Sequence, residues 1–175
     1  MKISDYILGR LADEAVRHVF MVYGGAMAEL GDAFTRTDRI GYVATMGEQA
    51  AGFAAEGYAK ATGHLGVALA TSGPGGGNLV TPIQNCFYDS TPVLFITGQV
   101  NTRFLRPSPA IRQLGFQETD IVGIVTPIVK WATMIKHPRD VRETLDRALG
   151  LCRAGRPGPC LLDIPTDIQK AEIEL

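Results

Sequence analysis

Cysteine is scarce in this chain, neither sign of charge dominates, and the N-terminus carries no uninterrupted apolar run. The three cysteines, Cys86, Cys152 and Cys160, are odd in number and far apart. That excludes a disulfide framework or a zinc spacing and points to a reducing compartment. The 17 Lys and Arg against 18 Asp and Glu leave a formal charge of −1, without the basic excess of a nucleic-acid module. The opening segment MKISDYILGRLADE meets a charge every few residues, so it reads as neither a signal peptide nor a membrane span. Low-complexity tracts and internal repeats are missing, and nothing resembles a linker before about Thr166. What remains is a cytoplasmic α/β protein with no nucleic-acid or membrane partner. Its 175 residues suit one domain, and 46% apolar residues suffice for a core.

Short apolar runs alternate with segments of helical period. Ile3, Ile7, Leu8, Leu11 and Ala15 predict an amphipathic helix over 3–15. The run VFMVY at 19–23 predicts a strand buried on both faces, ending at Gly24-Gly25. A short helix over 26–34 follows. The pattern then repeats: strand 40–46 and Ala-rich helix 48–62, strand 66–72 and helix 77–88, strand 92–97 and an irregular stretch to 114. Strand 128–135, helix 138–153 and strand 160–164 complete it. Val141, Leu145, Leu149 and Cys152 mark the inner face of the last long helix. Six such units predict a six-stranded parallel sheet with helices on both faces. Ligands in such sheets sit beyond the carboxyl ends of the strands, so residues just after Tyr23, Met46, Ser72 and Thr97 matter most.

The turn Ser72-Gly73-Pro74-Gly75-Gly76-Gly77-Asn78 joins a strand to a helix. A Walker phosphate loop would need a lysine that is missing, and a dinucleotide fingerprint would need a Gly or Ala at Asn78 and an acid at Gln99. A purely structural corner stays open. Three successive glycines exceed what a turn requires, which favours backbone that faces a ligand. Glu48 stands in the first turn of a helix. It either complements the helix dipole or, among small residues beyond a central strand, reaches a bound ligand. Glu56, about two turns further on, reads as structural.

Together the segments HVFMVYGGAMAEL, GEQAAGFAAEGYAKATG, VALATSGPGGGNLVTPIQNCFYDSTPVLFITGQV, GFQETDIVGIVTPIVKWA and GRPGPCLLDIPTDIQ resemble the N-terminal, pyrimidine-binding domain of thiamine-diphosphate enzymes. The likeness is to the acetolactate synthase and 2-oxo-acid decarboxylase type and runs along essentially the whole chain. It implies thiamine diphosphate as cofactor, with Glu48 hydrogen-bonding N1′ of the aminopyrimidine and thereby selecting its tautomer. It also implies that Gly24 and Gly25 border the ring, that Pro74 and Asn78 shape the pyrimidine wall, and that Tyr23, Phe116 and Gln117 lie near the substrate. From the residues alone, Phe116 is equally a core filler, and Gln117 equally a cap for a helix over 118–123.

Two features depart from the resemblance. Gly47 stands where many acetolactate-type relatives carry histidine. The segment 101–114 is long and carries Arg103, Arg106 and Arg112, read either as a solvated loop or as contacts for an acidic substrate. The resemblance further implies that residues 1–165 form the pyrimidine domain and that 166–175 exit towards a middle domain. Magnesium enters only through a Gly-Asp-Gly motif on a diphosphate-binding domain, so no metal ligand is expected in this chain. That domain comes from another subunit, in a homodimer or homotetramer, and the chain by itself is expected to be inactive. A catalytically silent regulatory module of the same fold is the competing reading.

Overall fold

A computed structural model describes residues 1–174. Six parallel strands form one sheet: β1 (His18–Met21), β2 (Gly41–Ala44), β3 (Gly66–Ala70), β4 (Val93–Gln99), β5 (Trp131–Met134) and β6 (Cys160–Pro165). Their spatial order is β2-β1-β3-β4-β6-β5. The helices are α1 (Ile3–Asp13), α2 (Ala28–Ala33), α3 (Glu48–Thr62), α4 (Pro74–Gly77), α5 (Val80–Asp89), α6 (Ile121–Val125), α7 (Val141–Arg153) and α8 (Thr166–Lys170). They cover both faces, as the alternation of strands and helices requires.

Three of the four inner strands, β3, β4 and β6, are buried along their whole length, which is why they read as largely apolar runs. Successive side chains point to opposite faces. Val67, Leu69, Leu94 and Ile96 meet Ile7, Leu11, Leu30, Leu145 and Leu149 on one face. Ala68, Ala70 and Phe95 meet Ala55, Ala59, Ile83 and Ile121 on the other. Small residues on β3 and α3 let that helix lie close. A Cβ on Gly66 would stand 2.2 Å from the Ala55 carbonyl oxygen. Each fully buried large side chain contributes roughly 1.5–3 kcal/mol.

Several elements differ from the sequence expectation. β1 ends at Met21 and is buried mainly at Val19 and Met21, because its neighbour β2 is the exposed edge strand. Tyr23 therefore lies beyond the strand. The expected helix over 77–88 is two helices, because the glycines themselves wind one turn from Pro74. The residues after Pro165 pack on the body: Ile168 and Gln169 are buried, and the Gln169 amide donates to the carbonyls of Ala26 and Ile164 at 2.7 Å each.

A buried polar cluster ties the ends of β4 and β6 together. Thr97 Oγ1 donates to Asp163 Oδ1 at 2.7 Å, and Gln99 Nε2 donates to Asp163 Oδ2 at 2.9 Å. Burial pushes the Asp163 carboxyl up to about 7; those two hydrogen bonds oppose the shift, and the charge of Asp120 adds to it.

Two outcomes follow from this packing. A Cβ on Gly98 would lie 2.0 Å from the Ala26 carbonyl oxygen, so Gly98→Ala is expected to lower the free energy of unfolding in urea by roughly 1–3 kcal/mol; an unchanged midpoint would refute that contact. The folded chain holds the Asp163 proton more tightly than the unfolded chain, whose aspartate titrates near about 4. The resulting stabilisation is complete below that value and is lost as pH rises towards 7. Unfolding free energies of the native chain relative to Asp163→Asn should fall by up to about 1.4 kcal/mol per pH unit across that window. A flat difference would show that Asp163 titrates normally.

Candidate active site

Because all strands run the same way, the turns leaving β1, β2, β3 and β4 emerge at one edge of the sheet, where ligands bind in such folds. The path from β2 into α3 is held at Thr45, whose amide donates to the Met21 carbonyl at 2.9 Å and whose hydroxyl donates to the Gly47 carbonyl at 2.9 Å. Glu48 is thus delivered to the first position of α3. No side chain caps this helix end, so Glu48 is its acidic complement. The carboxylate is half-buried. Its Oε2 accepts from Asn78 Nδ2 at 3.0 Å, and a Cβ on Gly75 would stand 3.4 Å from its Oε1. The carboxylate is placed by the helix start and held by a second residue, Asn78, against the glycine turn.

The glycine turn supplies that close approach. Pro74 opens α4 at a position where its missing N–H costs nothing, and Asn78 follows the helix with its amide bonded to the Pro74 carbonyl at 2.9 Å. Gly73 adopts φ +64°, a region closed to side chains there, since a Cβ would lie 2.7 Å from that of Gln117. Gln117 is itself left-handed at φ +59°, a conformation that concentrates at functional sites. Two tight turns therefore sit against each other.

Thr71 was not singled out from the sequence, yet it joins the halves of the site. Its hydroxyl accepts from the Ala26 amide at 3.1 Å. Its side chain fills the space beside Gly24 and Gly75, 2.4 and 2.8 Å from where a Cβ on each would stand. Its position as the last residue before Ser72-Gly73, at a strand end, was the available signal. Beyond Thr71 lies an open cleft of about 600 Å³, bordered by Gly24, Gly25, Thr71, Phe104, Phe116 and Gln117.

Of the residues expected at the site, Glu48, Pro74 and Asn78 are together, and Gly24, Gly25, Phe116 and Gln117 line the adjoining cleft. Tyr23 does not line it. Its ring packs on α2, where a Cβ on Gly31 would lie 2.6 Å from Tyr23 Cε2. Phe116 is 80% exposed and is no core filler. Gln117 does not cap the helix expected over 118–123: α6 starts at Ile121 and is capped by Asp120, whose Oδ1 accepts from the Gly123 amide at 2.9 Å. Glu56 is structural. Both its oxygens accept from Asn85 Nδ2 at 2.8 Å and one pairs with Lys60 at 2.7 Å, linking α3 to α5.

Two of the three loop arginines are engaged within the loop, as a solvated loop would have them. Arg103 lies 4.6 Å from the centre of the Phe104 ring, and Arg106 reaches the carbonyls of Ile111 and Arg112. Among the described residues no three His, Cys, Asp or Glu side chains gather as a metal site would need, and no helix is long and apolar enough to cross a membrane.

Residues 1–124 match the family model described as thiamine pyrophosphate enzyme, N-terminal TPP binding domain. The chain is 41% identical over 175 residues to the probable acetolactate synthase large subunit of Methanocaldococcus jannaschii, covering 100% of this chain and 28% of that protein. It is 44% identical over 156 residues to the acetolactate synthase large subunit of Corynebacterium glutamicum, covering 89% of this chain and 24% of that protein. Against acetolactate synthase 2, chloroplastic, of Nicotiana tabacum, identity is 43% over 169 residues, or 97% of this chain and 24% of that protein. The chain therefore spans about a quarter of the length of these curated relatives. The match takes in the turns that carry Glu48, Gly75, Asn78 and Gln117, and the chain belongs to the thiamine pyrophosphate enzyme family as an N-terminal TPP binding domain.

Proposed function

We propose that this chain is the pyrimidine-binding half of a thiamine-diphosphate-dependent enzyme acting on 2-oxo acids, of the acetolactate synthase type. One observation carries the reading: a half-buried carboxylate at the start of α3, tethered by Asn78, lies against the bare backbone of the glycine turn, where a Cβ on Gly75 would stand 3.4 Å from Glu48 Oε1. A carboxylate acceptor beside a stretch of backbone without side chains suits a flat, protonatable heteroaromatic ring, so the residues fit the aminopyrimidine. Thiamine diphosphate, when bound, supplies a nucleophilic carbon and an electron sink for 2-oxo-acid chemistry.

The chain's own residues position and hold a proton. Glu48 accepts a hydrogen bond from ring N1′ and keeps that nitrogen in its protonated form. Asn78 occupies one carboxylate oxygen and restricts rotation of the other. Pro74 and the backbone of the glycine turn form the ring's wall, while Gly24 and Gly25 lower the opposite side. Phe116 and Gln117 border the cleft that admits the 2-oxo acid. Gly47 offers no imidazole, so proton handling at this end rests on Glu48. Joint retention of Glu48, Asn78 and Gln117 speaks against a silent regulatory module.

The diphosphate and its magnesium ion are held by a separate domain, contributed by another subunit of a homodimer or homotetramer in the cytoplasm. Support comes from the rim next to Glu48: Tyr42, Val43, Met46 and Phe53 are exposed, with Met46 fully so, as a surface awaiting a partner would be. In the complete enzyme, Glu48→Gln should lower turnover of a 2-oxo acid by roughly 10²–10⁴-fold with an unchanged circular dichroism spectrum. Turnover within a few-fold of the native enzyme would refute the assignment.

A further inference from the structure

The corner carrying Phe116 and Gln117 hangs on a buried amide that takes no part in the proposed chemistry. Gln99 is 1% exposed and Asp163 fully buried. The Gln99 amide nitrogen donates to Asp163 Oδ2 at 2.9 Å and to the Thr119 carbonyl at 2.8 Å. Its amide oxygen accepts from the Val100 amide at 2.9 Å. Both ends of the 115–119 corner are thereby gripped. At one end Gly115 lies against Val100, where a Cβ would stand 2.9 Å from Val100 Cγ2. At the other the Thr119 carbonyl is bound directly. Within the corner the Glu118 amide donates to the Gly115 carbonyl at 3.1 Å, while the Glu118 carboxylate faces the loop, accepting from the amides of Arg106 at 2.8 Å and Leu114 at 2.9 Å; Gln99 ties this turn to the sheet.

We propose that Gln99, held in orientation by Asp163 and Thr97, is a positioning residue for the substrate-facing corner of the cleft, acting on Phe116 and Gln117 through Val100 and Thr119. The inference rests on the reading of that cleft as the 2-oxo-acid site. An amide is required because the position must donate twice and accept once in a dry environment, which no apolar residue does. Asp163 fixes which end of the amide faces which partner. An asparagine at 163 serves equally, its oxygen facing Gln99 and its nitrogen facing the Thr97 hydroxyl.

The test compares Gln99→Leu, the gentler Gln99→Asn, and Asp163→Asn by hydrogen exchange on this chain and by kinetics with pyruvate in the complete enzyme. In the Gln99 variants the amides of Gly115 and Glu118, bonded to the carbonyls of Phe104 and Gly115, should exchange roughly tenfold faster or more. The Ala51 amide in α3 should not change. The kcat/KM for pyruvate should fall about tenfold with unchanged thiamine diphosphate affinity in the Gln99 variants, whereas Asp163→Asn alone should leave both readouts within a few-fold of native. If Gln99→Leu does not fold, Gln99→Asn carries the same expectation. Unchanged exchange at the corner, or faster exchange spread evenly over the chain, would overturn the proposal. So would a loose corner with native kinetics. In that last case, Glu48→Gln in the same enzyme separates the two ideas: if it silences turnover, the functional reading survives the loss of this one.

Discussion

The tether between Asn78 and Glu48 is the contact on which the rest of the site depends. A carboxylate at a helix start already gains roughly 0.3–1 kcal/mol from the dipole, but the dipole does not orient it. Asn78 does, and it can do so only because the glycine turn curls into α4 and brings residue 78 back over the head of α3. That curl in turn needs Gly73 at φ +64° and needs Thr71 to fill the space that Gly75 leaves on its other side. Replacing any of these alters where one hydrogen bond points. The chemistry proposed here is sensitive to direction more than to strength.

The sheet supplies the remaining constraint. Parallel strands place every departing turn on one edge, so Gly24, Thr71 and Gln117 converge on one cleft and Glu48 reaches it through Gly75, without any long connection reaching across. The site divides into a carboxylate corner and a wider cleft, with Thr71 touching both. Such a division suits a reaction in which a cofactor ring is gripped at one place and a small acid enters at another. Tyr23 sits outside the division, on α2. The exposed apolar rim along β2 and the start of α3 has no cover within the described residues.

Much of this was legible because local signals were strong. The bounds of α3, Glu48–Thr62, agree with the sequence reading: Gly47 precedes the helix and Gly63 closes it in a left-handed turn at φ +73°. The inner strands β3, β4 and β6 stood out as largely apolar runs, and the face of α7 through Val141, Leu145, Leu149 and Cys152 was plain from its spacing. The failures were of another kind. A helix whose last three residues are all glycine runs against helix propensity and exists because close packing and capping hydrogen bonds outweigh it. The Asp163–Gln99–Thr97 cluster is invisible in the sequence because it requires β6 to pair with β4 across more than sixty residues. Strand order is not written in local periodicity. Gln99, read from the sequence only as an acid that was not there, turned out to be a buried anchor.

The most direct test of the central claim is the ¹⁵N resonance of N1′ in labelled thiamine diphosphate bound to the complete enzyme. Protonation of N1′, held by its hydrogen bond to the accepting Glu48 carboxylate, should move that resonance well away from its free, unprotonated position, and Glu48→Gln should return it most of the way while the cofactor stays bound. An N1′ signal that is the same in both proteins would contradict the account, leaving Glu48 as no more than the acidic end of a helix.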